Sequence, residues 1–124
     1  MSSTTVVRDH TFEAAHFLPH VPLGHPCGRV HGHSYKMEIH VTGPVHDTLG
    51  WVVDFGDIDA HVAPLIDRLD HHLLNDIEGL ANPTLEIIAA WLWQRLAHAL
   101  PGLSCIVVHE SARSRCLYRG PQAA

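Results

Sequence analysis

Between Ser34 and Thr42 hydrophobic and polar positions alternate without a break: Tyr35, Met37, Ile39 and Val41 fall on one face, and Lys36, Glu38, His40 and Thr42 on the other. A period of two predicts a half-buried strand. His31 and His33 share the parity of the apolar face, so their imidazoles should stand side by side toward the core where this strand begins. A looser alternation from Thr4 to Leu18 predicts an earlier strand, with Val6, Phe12 and Ala14 in phase with His16. If the two strands pair antiparallel, the intervening loop from Pro19 to Val30 returns His16 to the neighbourhood of His31 and His33.

The pattern then changes. Gly43-Pro44 ends the second strand, and Trp51 to Phe55 reads as a short third one after the turn at Leu49-Gly50. Ile58, Val62, Leu65, Ile66 and Leu69 recur at helical spacing behind a cap at Asp54 or Asp57, with Pro64 expected to kink the helix or delay its start. A polar loop, Asp70 to Asp76, and a linker, Gly79 to Pro83, lead to a second helix capped by Asn82 or Thr84, with Pro83 in its first turn. Leu85, Ile88, Ala89, Leu92, Leu96 and Ala99 form its stripe, and Pro101-Gly102 stops it. Leu103 to Glu110 and Cys116 to Arg119 read as two further strands. The sum is an α+β fold, an antiparallel sheet with two helices packed on one face.

Composition narrows the function. A chain of 124 residues suits a single domain spanning 1–124, and no apolar run approaches the roughly 18 to 20 residues of a membrane span, so no membrane partner is expected. Met1 to Thr5 lacks the charge and apolar stretch of a signal peptide. A net charge of −5 argues against a nucleic-acid partner bound by phosphate neutralisation, and favours a small-molecule partner. Three scattered cysteines, Cys27, Cys105 and Cys116, form no disulfide framework, which points to a reducing, cytoplasmic setting. Thirteen histidines raise the expectation of a metal or proton-transfer site without locating it.

Three neutral imidazoles from His16, His31 and His33 would bind zinc and leave a fourth position open. The His31-Gly32-His33 pair alone is weak, because so histidine-rich a chain produces such pairs by chance; the shared face and His16 strengthen it. Cys27, in a loop beside Arg29 and the metal, is either a thiolate base or nucleophile or an inert thiol. Cys105 and Cys116, on apolar stretches, read as structural. Asp70 beside His71 is either a carboxylate that fixes an imidazole for proton transfer or a local cap. Glu110 ends an apolar strand, where its carboxylate could accept two parallel hydrogen bonds from a pterin or guanine edge, or pair with an arginine. Arg113, Arg115 and Arg119 form either a polyphosphate-binding cluster or a solvated basic tail.

Taken together, Phe12-Glu13-Ala14-Ala15-His16, Cys27-x-x-x-His31-Gly32-His33, Asp70-His71-His72-x-Leu74-Asn75, Asn82-Pro83-Thr84-x-Glu86 and Glu110 resemble the 6-pyruvoyl and 6-carboxytetrahydropterin synthases of the tunnelling fold. The resemblance implies zinc on His16, His31 and His33, Cys27 as proton acceptor, Asp70 and His71 as a proton relay, and Glu110 and Thr84 in the pterin pocket. The three-residue gap between Cys27 and His31 looks like the carboxy branch, which serves queuosine and other 7-deazaguanine synthesis. Its implied reaction converts 7,8-dihydroneopterin triphosphate to 6-carboxy-5,6,7,8-tetrahydropterin, acetaldehyde and triphosphate. The pyruvoyl branch, which eliminates triphosphate only, is the nearest alternative, and a non-enzymatic zinc-binding protein the alternative of another class. The resemblance also implies a homohexamer, two stacked trimers whose sheets close into a barrel with sites between subunits. Leu85 departs from the family, which commonly has Ser or Thr there.

Overall fold

A computed structural model describes residues 2–122. Alternation along the chain becomes two long strands, β1 (Thr4–His16) and β2 (His31–Gly43), paired antiparallel along their whole length. Two helices follow, α1 (Phe55–Leu69) and α2 (Leu85–Leu96), and then a hairpin of β3 (Leu103–Ser111) and β4 (Ser114–Tyr118). The sheet order is β1-β2-β3-β4, antiparallel throughout. The helices cover one face.

The apolar parity of β2 sets which face that is. Tyr35, Met37, Ile39 and Val41 are buried, as are Phe12 on β1 and Ile106 and Val108 on β3. The helices close over them with Ile58, Val62 and Leu69 from α1 and Ile88, Leu92 and Leu96 from α2. Burying each large aliphatic side chain contributes about 1.5–3 kcal/mol, so this layer carries most of the driving force for folding. Phe12 and Tyr35, directly paired across β1 and β2, stack at 4.8 Å with nearly parallel rings. At the turn before β3, Gly102 has φ +90°, and a Cβ there would meet the Thr42 carbonyl oxygen at 2.6 Å. Only glycine fits that approach.

Several expected boundaries move. The third strand expected at Trp51 to Phe55 does not form: 51–53 bend, and Asp54 is the N-cap of α1, its carboxylate accepting from the Gly56 N–H at 2.8 Å. Val52 and Val53 pack on the core from that bend, while Trp51 and Phe55 are exposed. The helix begins at Phe55, well ahead of Pro64, so the proline does not delay its start. Pro83 lies before α2 and outside it, with Thr84 as the cap, and the helix ends at Leu96, short of Ala99. β1 stops at His16, β2 starts already at His31, and β4 begins at Ser114, two residues before Cys116.

Outside the core, α1 is fastened to β1 by a charged cluster. Arg8 donates to both carboxylate oxygens of Asp59, at 2.9 and 2.8 Å, and His10 Nε2 lies 2.9 Å from the same group. The Arg8 hydrogen bonds hold the Asp59 carboxyl down to about 2. A carboxyl depressed on folding stabilises the fold above its unfolded value, near 3.8, and loses that contribution as pH falls toward 2. Asp59→Asn is therefore expected to give a shallower fall in Tm between about pH 4 and pH 2 than the parent chain. Because the pair is largely exposed, added salt should shrink the difference. Parallel Tm curves for the two proteins across that range would contradict the assignment.

Candidate active site

The register of β1 on β2 sets His16 directly opposite His31 and Ala14 opposite His33. The small Ala14 leaves space beside it, and the three rings converge edge to face, with centroids 4.5 Å (His16 to His31), 5.2 Å (His16 to His33) and 4.9 Å (His31 to His33) apart. One ring nitrogen from each lies within 4.8 Å of the others, and among the described residues no other group of His, Cys, Asp and Glu gathers in this way.

The second nitrogens explain how the rings are aimed. His16 Nδ1 is 2.8 Å from the Pro83 carbonyl oxygen, and His31 Nδ1 is 2.7 Å from that of Arg29. A carbonyl only accepts, so in both rings Nδ1 carries the hydrogen and Nε2 presents its lone pair. Cap geometry places the first of these carbonyls: Thr84 begins α2, its hydroxyl accepting from the Ile87 N–H at 3.2 Å, and Pro83 just before it faces β1. Nε2 of His16 and of His33 are buried without a hydrogen-bond partner. Burial lowers the affinity of His16 for a proton, the Pro83 carbonyl opposing and the neighbouring imidazoles assisting. Two buried orphan nitrogens within a set of three imidazoles suit a divalent metal ion, which supplies the missing partner. These three residues can hold a metal.

Cys27 lies in a single 3-10 turn, Pro26–Gly28, whose cap is the His25 ring accepting from the Cys27 N–H at 3.1 Å. The Cys27 carbonyl accepts from the Leu18 N–H at 2.8 Å, which ties the thiol's backbone to the chain two residues beyond His16. The thiol is free and half-buried. Cys105 and Cys116 are pushed upward by burial and stay as thiols.

Asp70 and His71 form a unit stitched to the end of β1. Asp70 Oδ1 accepts from the Glu13 N–H at 2.8 Å and Oδ2 from His71 Nδ1 at 2.8 Å. The Glu13 bond, then the His71 bond, hold this carboxyl below its ordinary value. The His71 N–H returns to the Glu13 carbonyl, and the residue sits at φ 59°, an uncommon conformation for a side chain of its size. Its ring is 78% exposed, with Nε2 free. Asn75 anchors the next stretch by bonding both the N–H and the carbonyl of Phe17.

Glu110 Oε2 lies 3.9 Å from His33 Nε2. Two clefts meet at Gly32, His33 and Ser34: one of about 540 Å³ reaches His71, and the other, of about 480 Å³, reaches Lys36 and Glu110. Arg113 and Arg115 line a separate cleft with Leu85 and Glu86, and Arg119 borders none of these three. The alternation of β2 marks Tyr35 only as a core residue, yet its ring lies 5.4 Å from His33 and its buried hydroxyl has no partner.

The profile of the 6-pyruvoyl tetrahydropterin synthase family matches residues 5–121. The chain belongs to that family. It is 40% identical to the 6-carboxy-5,6,7,8-tetrahydropterin synthase of Synechocystis sp. over 94% of each chain. The Bacillus subtilis protein of the same name is 34% identical, covering 90% of this chain and 82% of that one. In fold it is similar to the solved 6-pyruvoyl tetrahydropterin synthase of Caenorhabditis elegans, with a TM-score of 0.89, 24% identity and 98% of each chain covered. As a member of this family the chain has the tunnelling fold, and the motifs that suggested it lie on β1, on β2 with its preceding turn, on the 70–75 loop, at the cap of α2 and at the end of β3.

Removing one imidazole should leave a pair that competes poorly with water for a metal. His31→Ala is expected to lose the divalent metal measured by elemental analysis after loading and exhaustive dialysis, while the wild type is expected to keep one ion per chain. Full retention by the variant would exclude His31 as a ligand.

Proposed function

We propose that the chain is a zinc-dependent carbon–carbon lyase that converts 7,8-dihydroneopterin triphosphate to 6-carboxy-5,6,7,8-tetrahydropterin. Acetaldehyde and triphosphate leave, and one water is consumed to complete the carboxylate. The observation that carries this reading is the trio of converging imidazoles with free Nε2 atoms beside Glu110. The names of the two curated relatives support the carboxy product over the pyruvoyl one.

In this reading His16, His31 and His33 hold the zinc, which when bound supplies a Lewis acid that polarises the side-chain oxygens of the substrate and acidifies the C–H beside them. The remaining steps fall to protein side chains. Cys27, as thiolate, accepts the proton from the substrate side chain. His71, its Nδ1–H given to Asp70, presents Nε2 as the atom that takes and returns protons. Glu110 accepts two parallel hydrogen bonds from the amino group and ring N–H of the pterin, which fixes the register of the ring against the metal. The Thr84 hydroxyl, an acceptor within its own cap, still has its hydrogen to donate to the ring.

The whole chain, 1–124, acts as one tunnelling-fold unit. β1 and β4 end the sheet on its two sides, and closure of three such sheets into a barrel, two barrels stacked as a homohexamer, would satisfy those edges. Cys27 and His71 share no hydrogen bond within the chain, and sites completed between subunits accommodate that. Among the described residues no helix is long and apolar enough to cross a membrane. We place the enzyme in the cytoplasm, in the 7-deazaguanine route toward queuosine.

Incubating the zinc-loaded protein with dihydroneopterin triphosphate should yield a 6-carboxy pterin and acetaldehyde by mass spectrometry. A 6-pyruvoyl product would keep the site and change the branch, and no product with a full zinc complement would favour a non-enzymatic zinc protein. Cys27→Ala should retain zinc while turnover falls by a factor on the order of 10²–10⁴, the usual contribution of a positioned base. Unchanged turnover in that variant would remove Cys27 from the mechanism.

A further inference from the structure

Glu110 has no cross-strand partner in either of its ladders. The β2–β3 pairing stops at Lys36 opposite His109, and the β3–β4 register shifts between His109 and Ser111, so that Glu110 is the residue skipped. An irregularity of this kind re-aims a side chain, but it also removes the paired hydrogen bonds that would hold it. Ser111 pairs again with Ser114 on the β4 side, but toward β2 the ladder gives β3 no partner beyond His109.

The opposite face of the sheet supplies a hold on that end. Glu38, on the polar side of β2, places one carboxylate oxygen 2.6 Å from His109 Nε2 and the other 3.0 Å from His40 Nε2. An ionised carboxylate only accepts, so both imidazoles donate to it. All three side chains are more than three-quarters covered. Burial works against the charge on Glu38, the two imidazole bonds outweigh it, and its carboxyl lies below the ordinary range. None of these residues belongs to the metal group, and the proposed mechanism uses none of them.

We propose that Glu38 and His109 are positioning residues that clamp the last residue of β3 paired with β2 from the reverse face and thereby aim Glu110 at the pterin ring. The inference rests on Glu110 being the ring anchor, as proposed above. His40 holds the second oxygen of Glu38 and so fixes the carboxylate plane that His109 meets.

The test is a double-mutant cycle on the zinc-loaded full chain, with plain pterin as the probe and fluorescence titration as the readout. Glu110→Ala should weaken pterin binding strongly. His109→Leu should weaken it by about tenfold, raise KM for dihydroneopterin triphosphate in parallel, and leave kcat and zinc content within about twofold. His109→Gln, which keeps an N–H donor toward Glu38, should restore most of the affinity. In the Glu110→Ala background His109→Leu should have no further effect, because there is no carboxylate left to aim.

An equal loss with and without Glu110 would mean that His109 supports the fold generally, and would overturn the clamp. So would unchanged binding in His109→Leu when Glu110→Ala binds weakly, and in that case the anchor reading survives. Unchanged binding in Glu110→Ala itself would overturn both. Should His109→Leu fail to fold, Glu38→Gln serves in the same cycle: one of the two imidazole N–H groups loses its acceptor, and a loss of several-fold that depends on Glu110 is expected.

Discussion

The structure depends on one register. His16 faces His31 only because β1 pairs with β2 in a single antiparallel alignment, and a slip of one residue would turn every side chain of the slipped strand to the other face of the sheet. The burial of Phe12, Tyr35, Met37 and Ile39 on the helix side locks that alignment, because the alternative would expose them all. The same hydrophobic pattern that makes the sheet therefore assembles the three imidazoles. Folding and site formation are here one event: the metal group sits at the end of the stripe that forms the core.

A second layer of control is carried by backbone carbonyls. Pro83 and Arg29 fix the tautomers of His16 and His31 by accepting from Nδ1, and both carbonyls owe their places to local chain geometry, the cap of α2 and the extended residue that ends the Pro26–Gly28 turn. Asp70 works similarly on His71 while it holds the Glu13 N–H, so this pair is tied to the strand that carries His16. Glu110 is the exception, left by its irregular pairing without a ladder partner, and the Glu38 network lies on the reverse face of that same strand end.

Much of this was legible in the chain. Parity on β2 correctly put His31 and His33 with the apolar face, because a strand's side-chain period is two wherever one face is buried. The helical stripes of α1 and α2 and the Asp54 and Thr84 caps were readable for the same local reasons. Trp51 to Phe55 forms no strand because Val52 and Val53 pack on the core from a bend, while Trp51 and Phe55 are exposed. The orienting carbonyls left no mark, since every residue has one and only the fold decides where it points. The interval between Glu38 and His109 likewise hides a contact that only the β2–β3 register creates. The motifs named the family, and the grouping of its histidines follows from the strands; the roles of Cys27, Thr84 and Glu110 rest on the proposed chemistry.

In the proposed enzyme three imidazoles, and no thiolate, hold the metal. X-ray absorption at the zinc edge of the loaded protein tests it most directly. The structure predicts a first shell of nitrogen and oxygen at about 2.0 Å with multiple-scattering features of imidazole, which leaves Cys27 free to act as a base. A sulfur shell at about 2.3 Å would put Cys27 on the metal and contradict both the ligand set and the mechanism built on it.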